Sequence, residues 1–110
     1  MKSLFGFAGL ATAVVMMFGL AAVPAQAQDA TKGKDVFEQC AVCHNADSAE
    51  KKMGPGLKGL YKKAKLSNGK SPSDATIGAL VKAGGNGMPP YEDVLSPAEL
   101  KDLIAYLKTL

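Results

Sequence analysis

The sequence predicts an all-α fold, three to five short helices wrapped around one prosthetic group, and three observations carry that expectation. Apolar residues recur at helical spacing in separate stretches, each opened by a residue able to cap a helix. No run of alternating or β-branched residues reads as a strand. The third observation is Cys40-Ala41-Val42-Cys43-His44. Thiols three positions apart share one helical face, and the imidazole that follows can turn across a flat ring held by both. This is the spacing of c-type haem attachment, in which each thiol forms a thioether with a haem vinyl group and the histidine gives its nitrogen to iron. One covalent haem c, held by Cys40, Cys43 and His44, is therefore expected, with its iron.

Two other uses of the motif are weaker. A structural zinc site needs four protein ligands, whereas the chain has two cysteines and one histidine. A dithiol of the thioredoxin kind would sit in a βαβ pattern, which is missing around Cys40 and Cys43.

The chain opens as an exported protein does. Lys2 is followed by an apolar stretch from Leu4 to Val23, and Ala25-Gln26-Ala27 is a small-x-small cleavage site. Residues 1–27 are read as a cleaved signal peptide and residues 28–110 as the haem domain, placed in the periplasm. The alternative is an uncleaved anchor, because the apolar stretch is long enough to span a bilayer. Gly6, Gly9, Thr12 and Gly19 dilute it, and no basic stop-transfer cluster follows. Without the leader, twelve lysines face ten acids, a net charge of +2 that suggests no nucleic-acid partner. A domain of 83 residues has a thin core. Haem would act as its staple.

Asp29 is placed to cap a first helix running to about the haem motif, with Gly33, Val36, Phe37 and Cys40 on one face. Glycine inside a helix costs about 1 kcal/mol relative to alanine, so Gly33 marks close approach of another element. The last helix is the expected partner. It has Ser96 as N-cap, Pro97 at the first position, Glu99 closing a capping box, Leu95 stapled to Leu100, and a stripe of Leu100, Leu103, Ile104 and Leu107. Between them, residues 47–70 read mostly as loop, with a short helical possibility at Leu57 to Lys63. Ser73 or Asp74 opens another helix with Ile77, Leu80 and Val81 inward and Gly84 as its stop. The segment Gly85-Asn86-Gly87-Met88-Pro89-Pro90-Tyr91 combines permissive glycines with rigid prolines, and so can hold one side chain at a fixed place.

That side chain is expected to be the second axial ligand. His44 is the only histidine, so the remaining soft ligand is methionine. Met53 lies nine residues after His44 and should stay on the same side of the ring. Met88 is on a separate segment, free to cross the other face, and belongs to no helical stripe. Met88 is preferred, with Met53 read as ordinary packing.

By these motifs the region 29–110 resembles the class I c-type cytochromes, of the short bacterial single-haem kind. The resemblance implies a small cytochrome c fold in which Gly33 and Phe37 pack against Leu103 and Tyr106. Gly54-Pro55-Gly56-Leu57-Lys58-Gly59 is similar to the family's Gly-Pro-x-Leu-x-Gly segment. It implies that the Pro55 carbonyl accepts a hydrogen bond from the His44 imidazole, which would fix the tautomer and strengthen donation to iron. The family's distal loop is similar to Gly87-Met88-Pro89-Pro90 and again selects Met88. The chain departs from the pattern in having no tryptophan. Tyr61, Lys62 and Lys63 are the candidates to meet a haem propionate in its place.

With both axial positions filled there is no open site for a small-molecule substrate, and one-electron transfer between redox protein partners is the expected function. The lysines read first as ordinary solvated surface, the alternative being that a subset near the haem edge steers docking to an acidic partner. The C-terminal half is also similar to the cytochrome domains of quinone-linked dehydrogenases, so a tightly bound or tethered subunit of a dehydrogenase or oxidase is the alternative. A gas sensor or peroxidase is disfavoured, because the region beyond the leader has no second histidine and no arginine to serve as distal acid-base groups.

Overall fold

The computed structural model describes residues 28–110 together with Gly9 and Gly19, so the expected leader otherwise lies outside the described residues. Three α-helices, α1 (Ala30–Phe37), α2 (Asp74–Ala83) and α3 (Pro97–Leu107), are joined by loops that carry one 3₁₀ turn, Leu60–Lys62. Among the described residues there is no strand, only an isolated bridge between Gly85 and Met88. The all-α expectation holds. No helix of the described residues is long and apolar enough to cross a membrane.

The Asp29 carboxylate caps α1 by accepting from the Thr31 and Lys32 backbone N–H groups at 2.9 and 3.2 Å. The Asp29 N–H in turn donates to the Asp102 carboxylate at 3.0 Å, tying the start of α1 to α3. The helix stops at Phe37, short of the expected run to the haem motif. Its continuation is a pair of turns in which the Phe37 carbonyl accepts from both Cys40 and Ala41, and the Cys40 carbonyl from both Cys43 and His44. Sharing each carbonyl between two donors tightens the ladder, as is common at helix ends.

α3 has the expected start. Ser96 Oγ accepts from the Glu99 N–H, and Glu99 Oε1 accepts from the Ser96 N–H, both at 3.1 Å. Leu103, Ile104 and Leu107 are buried, Leu103 with only 1% of its surface exposed. α1 crosses α3 at Gly33. A Cβ there would overlap the Asp102 carbonyl and stand 2.8 Å from Tyr106 Cβ. Beside it the Phe37 and Tyr106 rings meet at 5.3 Å between centroids, inclined by 56°. Such aromatic pairs contribute about 0.5–1.5 kcal/mol beyond their buried area.

α2 opens at Ser73, where Thr76 closes the capping box with its hydroxyl in the place usually taken by Glu or Gln. Ile77 and Val81 are buried as expected, but Leu80 is only half-buried. Its expected place is taken by Gly78, buried against the ends of Ile104 and Leu100 from α3. Helix α2 thus presents a bare patch that the larger α3 side chains fill. The loop between α1 and α2 reaches the core through Leu57, Leu60 and Leu66. Leu66 sits in a lysine-rich stretch and is hooked inward by a turn in which its N–H donates to the Lys70 carbonyl at 2.7 Å.

Three elements meet at Asp74. Its carboxylate accepts from the Tyr61 hydroxyl at 2.9 Å and from Lys108 Nζ at 2.6 Å. These contacts hold the carboxyl below its usual range, with Lys108 the larger cause. The Tyr61 phenol is pushed up by burial and by Asp74.

Candidate haem site

Cys40 lies in the buried core on the first turn after α1, whereas Cys43 and His44 are half-buried on the turn that follows. Both thiols are free. Burial, and then the neighbouring Cys43, push the Cys40 thiol up from its ordinary value, so thiolate is scarce at neutral pH and the thiol is a poor spontaneous nucleophile. Lys52 Nζ donates to the Ala41 carbonyl at 3.2 Å, across the residues that separate the two cysteines.

Residues 45–57 fold back on this turn and are stitched to it by backbone hydrogen bonds. The Gly54 N–H donates to the Cys43 carbonyl at 2.8 Å and the Leu57 N–H to the Asn45 carbonyl at 2.7 Å. Asn45 Nδ2 reaches the Glu50 carbonyl at 2.9 Å. The return brings the Pro55 carbonyl 2.8 Å from His44 Nδ1. A carbonyl only accepts, so this contact places the proton on Nδ1 and leaves Nε2 as the nitrogen with a free lone pair. Gly54, named from the sequence only as the first residue of the Gly-Pro segment, packs on the ring itself: a Cβ there would stand 2.5 Å from Cε1 and 2.9 Å from Nδ1.

Met53 is 79% exposed, with its sulfur 4.0 Å from Cys43 Sγ, on the same loop that carries Pro55. Met88 comes from the other end of the chain and is half-buried against the core cluster that also contains Cys40. Its loop begins where Gly84 caps α2. Gly85 and Met88 then exchange backbone hydrogen bonds at 2.9 and 3.0 Å. The two residues inside that pair, Asn86 and Gly87, have φ of 51° and 87°. Positive φ at both central positions is a type I′ turn, and Asn-Gly is its strongest sequence signal. The loop closes where the Tyr91 N–H donates to the Val81 carbonyl at 3.1 Å. Tyr91 is half-buried, and its phenol is raised by burial and then by Cys40 and Cys43.

The residues present fit a covalent haem. Two free thiols and an imidazole with Nε2 unclaimed converge on one turn, and a thioether is available from a separate loop on the same core. They do not fit an all-protein metal cage, since no group of three or more His, Cys, Asp or Glu gathers among the described residues. Of the residues considered for a propionate, the Tyr61 hydroxyl is engaged by Asp74, and Lys63 Nζ donates to the Gly56 carbonyl at 3.3 Å.

A family model for cytochrome c matches residues 30–110. The chain is 44% identical over 61 residues to cytochrome c2 of Blastochloris viridis, a match that covers 54% of this chain and only 42% of that relative. It is 36% identical over 85 residues to a cytochrome c6-like protein of Nostoc sp., covering 76% of this chain and 73% of the relative. Among solved structures it is similar to cytochrome c6 from the diatom Phaeodactylum tricornutum, with a TM-score of 0.56, 27% identity, and coverage of 74% of this chain and 92% of that one.

Proposed function

The chain belongs to the class I cytochrome c family, whose single haem c is covalently bound, and from that premise we propose that it is an exported one-electron carrier with His44 and Met88 as axial ligands. Cytochromes of this family are electron-transfer proteins and not enzymes. When bound, the group supplies a ferric/ferrous couple.

The observation that carries the reading is the pairing of His44 Nδ1 with the Pro55 carbonyl at 2.8 Å beside two free thiols. Cys40 and Cys43 would hold the group by thioether bonds. The Pro55 carbonyl holds the proton on Nδ1, which would leave Nε2 to bind the metal and make the imidazole a stronger donor. Met88 would close the opposite position, leaving none for a substrate, and a soft thioether there favours the reduced state. The turn between Gly85 and Met88 and the two prolines after it restrict how far that sulfur can swing.

Redox proteins are the proposed partners. Val42 and Met53, 71% and 79% exposed, flank Cys43, and the exposed Lys51 and Lys52 adjoin Met53. An apolar pair beside lysines suits a partner surface that is apolar at its centre and acidic around it. Export to the periplasm rests on residues 1–27, read as a cleaved signal.

The test is an absorption spectrum of the exported protein in both redox states, followed by acid-acetone extraction and intact mass. The expected result is a low-spin spectrum, haem that stays on the protein, and a mass of residues 28–110 plus one haem. Extractable haem would sink covalent attachment, and added mass matching residues 1–27 would sink cleavage.

A further inference from the structure

We infer that Gly54 is a positioning residue for His44: its bare Cα backs one face of the imidazole while the Pro55 carbonyl holds the Nδ1 edge, and the two together set the ring plane. This rests on the reading of His44 as an axial ligand. The χ2 torsion of histidine is broad, and the hydrogen bond at Nδ1 narrows it from the edge of the ring alone. A wall on the face of the ring narrows its plane further.

That wall is the Gly54 main chain. A Cβ at this position would lie 2.5 Å from Cε1, 2.9 Å from Nδ1 and 3.0 Å from Nε2, the two ring nitrogens and the carbon between them. The ring therefore rests on Gly54 over the half that includes its donor nitrogen. Nor can the wall retreat easily. Gly54 N–H is tied to the Cys43 carbonyl at 2.8 Å, and its own carbonyl accepts from the Lys52 N–H at 3.0 Å. Both backbone groups of Gly54 are thus committed on either side of the contact, and Pro55 follows with its φ fixed by its own ring.

Two features separate this role from ordinary loop packing. Gly54 does not adopt a left-handed φ, so alanine there adds a contact with the ring without left-handed backbone strain. Gly56, two residues on, is also closely packed, but a Cβ there would meet the Ser48–Ala49 backbone, 2.7 Å from Ala49 Cα, and not the imidazole. The pair forms an internal control: Gly54→Ala presses on the ring, whereas Gly56→Ala presses on the Ser48–Ala49 backbone.

The experiment compares haem-loaded wild type, Gly54→Ala and Gly56→Ala in the ferric state. Proton NMR of the hyperfine-shifted haem methyls and low-temperature EPR both report the orientation of the axial ligand planes. Gly54→Ala should change the spread and order of the methyl shifts and the g anisotropy. Gly56→Ala should keep the wild-type pattern while lowering the denaturation midpoint. A wild-type pattern in Gly54→Ala, or the same change in both variants, would overturn the proposal. Should Gly54→Ala accumulate no loaded protein while Gly56→Ala does, the wall is required for His44 to engage; equal loss in both would assign the effect to the loop and overturn it. The reading of His44 fails separately, if wild type shows no shifted resonances of an axial imidazole.

Discussion

The two loops that carry the axial candidates are built on opposite plans. The His44 side is fixed from outside itself: residues 45–57 return to the motif through backbone bonds at Gly54 and Leu57, and the imidazole is held at its Nδ1 edge by Pro55 and on the ring by Gly54. The Met88 side is fixed from within. Its turn is closed by its own two ends, Gly85 and Met88, and it rejoins the fold at Tyr91. A thioether is a weak acceptor, so the methionine is placed by backbone geometry and packing alone. The difference teaches where the site should open first. Loss of Met88 should cost one bond and leave the other side intact, whereas loss of His44 would remove the group on which the whole proximal loop converges.

The largest expected effect follows directly. Met88→Ala should keep its covalent haem, lose the weak red charge-transfer band of a methionine-ligated ferric haem, and lower the potential, since the soft ligand favours ferrous iron. Carbon monoxide titration of the dithionite-reduced proteins should show stoichiometric binding to Met88→Ala and none to wild type at micromolar gas. Met53→Ala should behave as wild type, because its exposed sulfur lies beside Cys43 on the proximal loop. Carbon monoxide binding by wild type would turn the reading from carrier to sensor.

A smaller effect probes what both loops share. α1 and α3 cross at Gly33, upstream of the proximal turn and far in sequence from Met88. Gly33→Ala drives a methyl into the Asp102 carbonyl and Tyr106, and overpacking of this kind costs about 1–3 kcal/mol. Urea unfolding should show that loss with the red band unchanged under native conditions. Loss of the band in native buffer would mean that the crossing holds Met88 in place, contrary to a distal loop fixed from within.

The parts legible in the sequence were those written in short-range chemistry. The Ser96–Glu99 capping box, the stripe on α3 and the close approach at Gly33 were each signalled by residues a few positions apart, and each stands as read. What was not legible depends on tertiary return. Gly54 carries no periodic or capping signal, and only the fold-back of residues 45–57 brings it under the ring. Leu80 yields its place to Gly78 because α3 supplies the bulk. The end of α1 at Phe37 was hidden for another reason: residues 38–44 keep helical spacing while their shared carbonyls convert helix to turns. The type I′ turn is a different case, since Asn86-Gly87 announces it and the reading stopped at permissive glycines.

The smallest expected effect lies where the two sides are joined. Asp74 begins α2, which leads to the Met88 loop, while Tyr61 follows the proximal loop and Lys108 ends α3. Lys108 first, and then Tyr61, hold the Asp74 carboxyl below its ordinary value. A carboxylate with a depressed folded-state pKa contributes stability that is fully present above the unfolded value, about 3.9, and is lost as pH falls through the folded one. The Lys108 and Asp74 side chains are 42% and 48% exposed, so solvent screening limits the ion pair to about 0.2–1 kcal/mol. Asp74→Asn should therefore lower the urea midpoint slightly at pH 7, and the gap from wild type should close as pH falls through the depressed folded-state value, below which both carry a neutral side chain. Lys108→Met should show the same closing gap. A gap that stays constant to the acid end of the titration would assign the clasp to the neutral Tyr61 hydrogen bond instead of the charge, and the two loops would then be joined by a contact that acid cannot release.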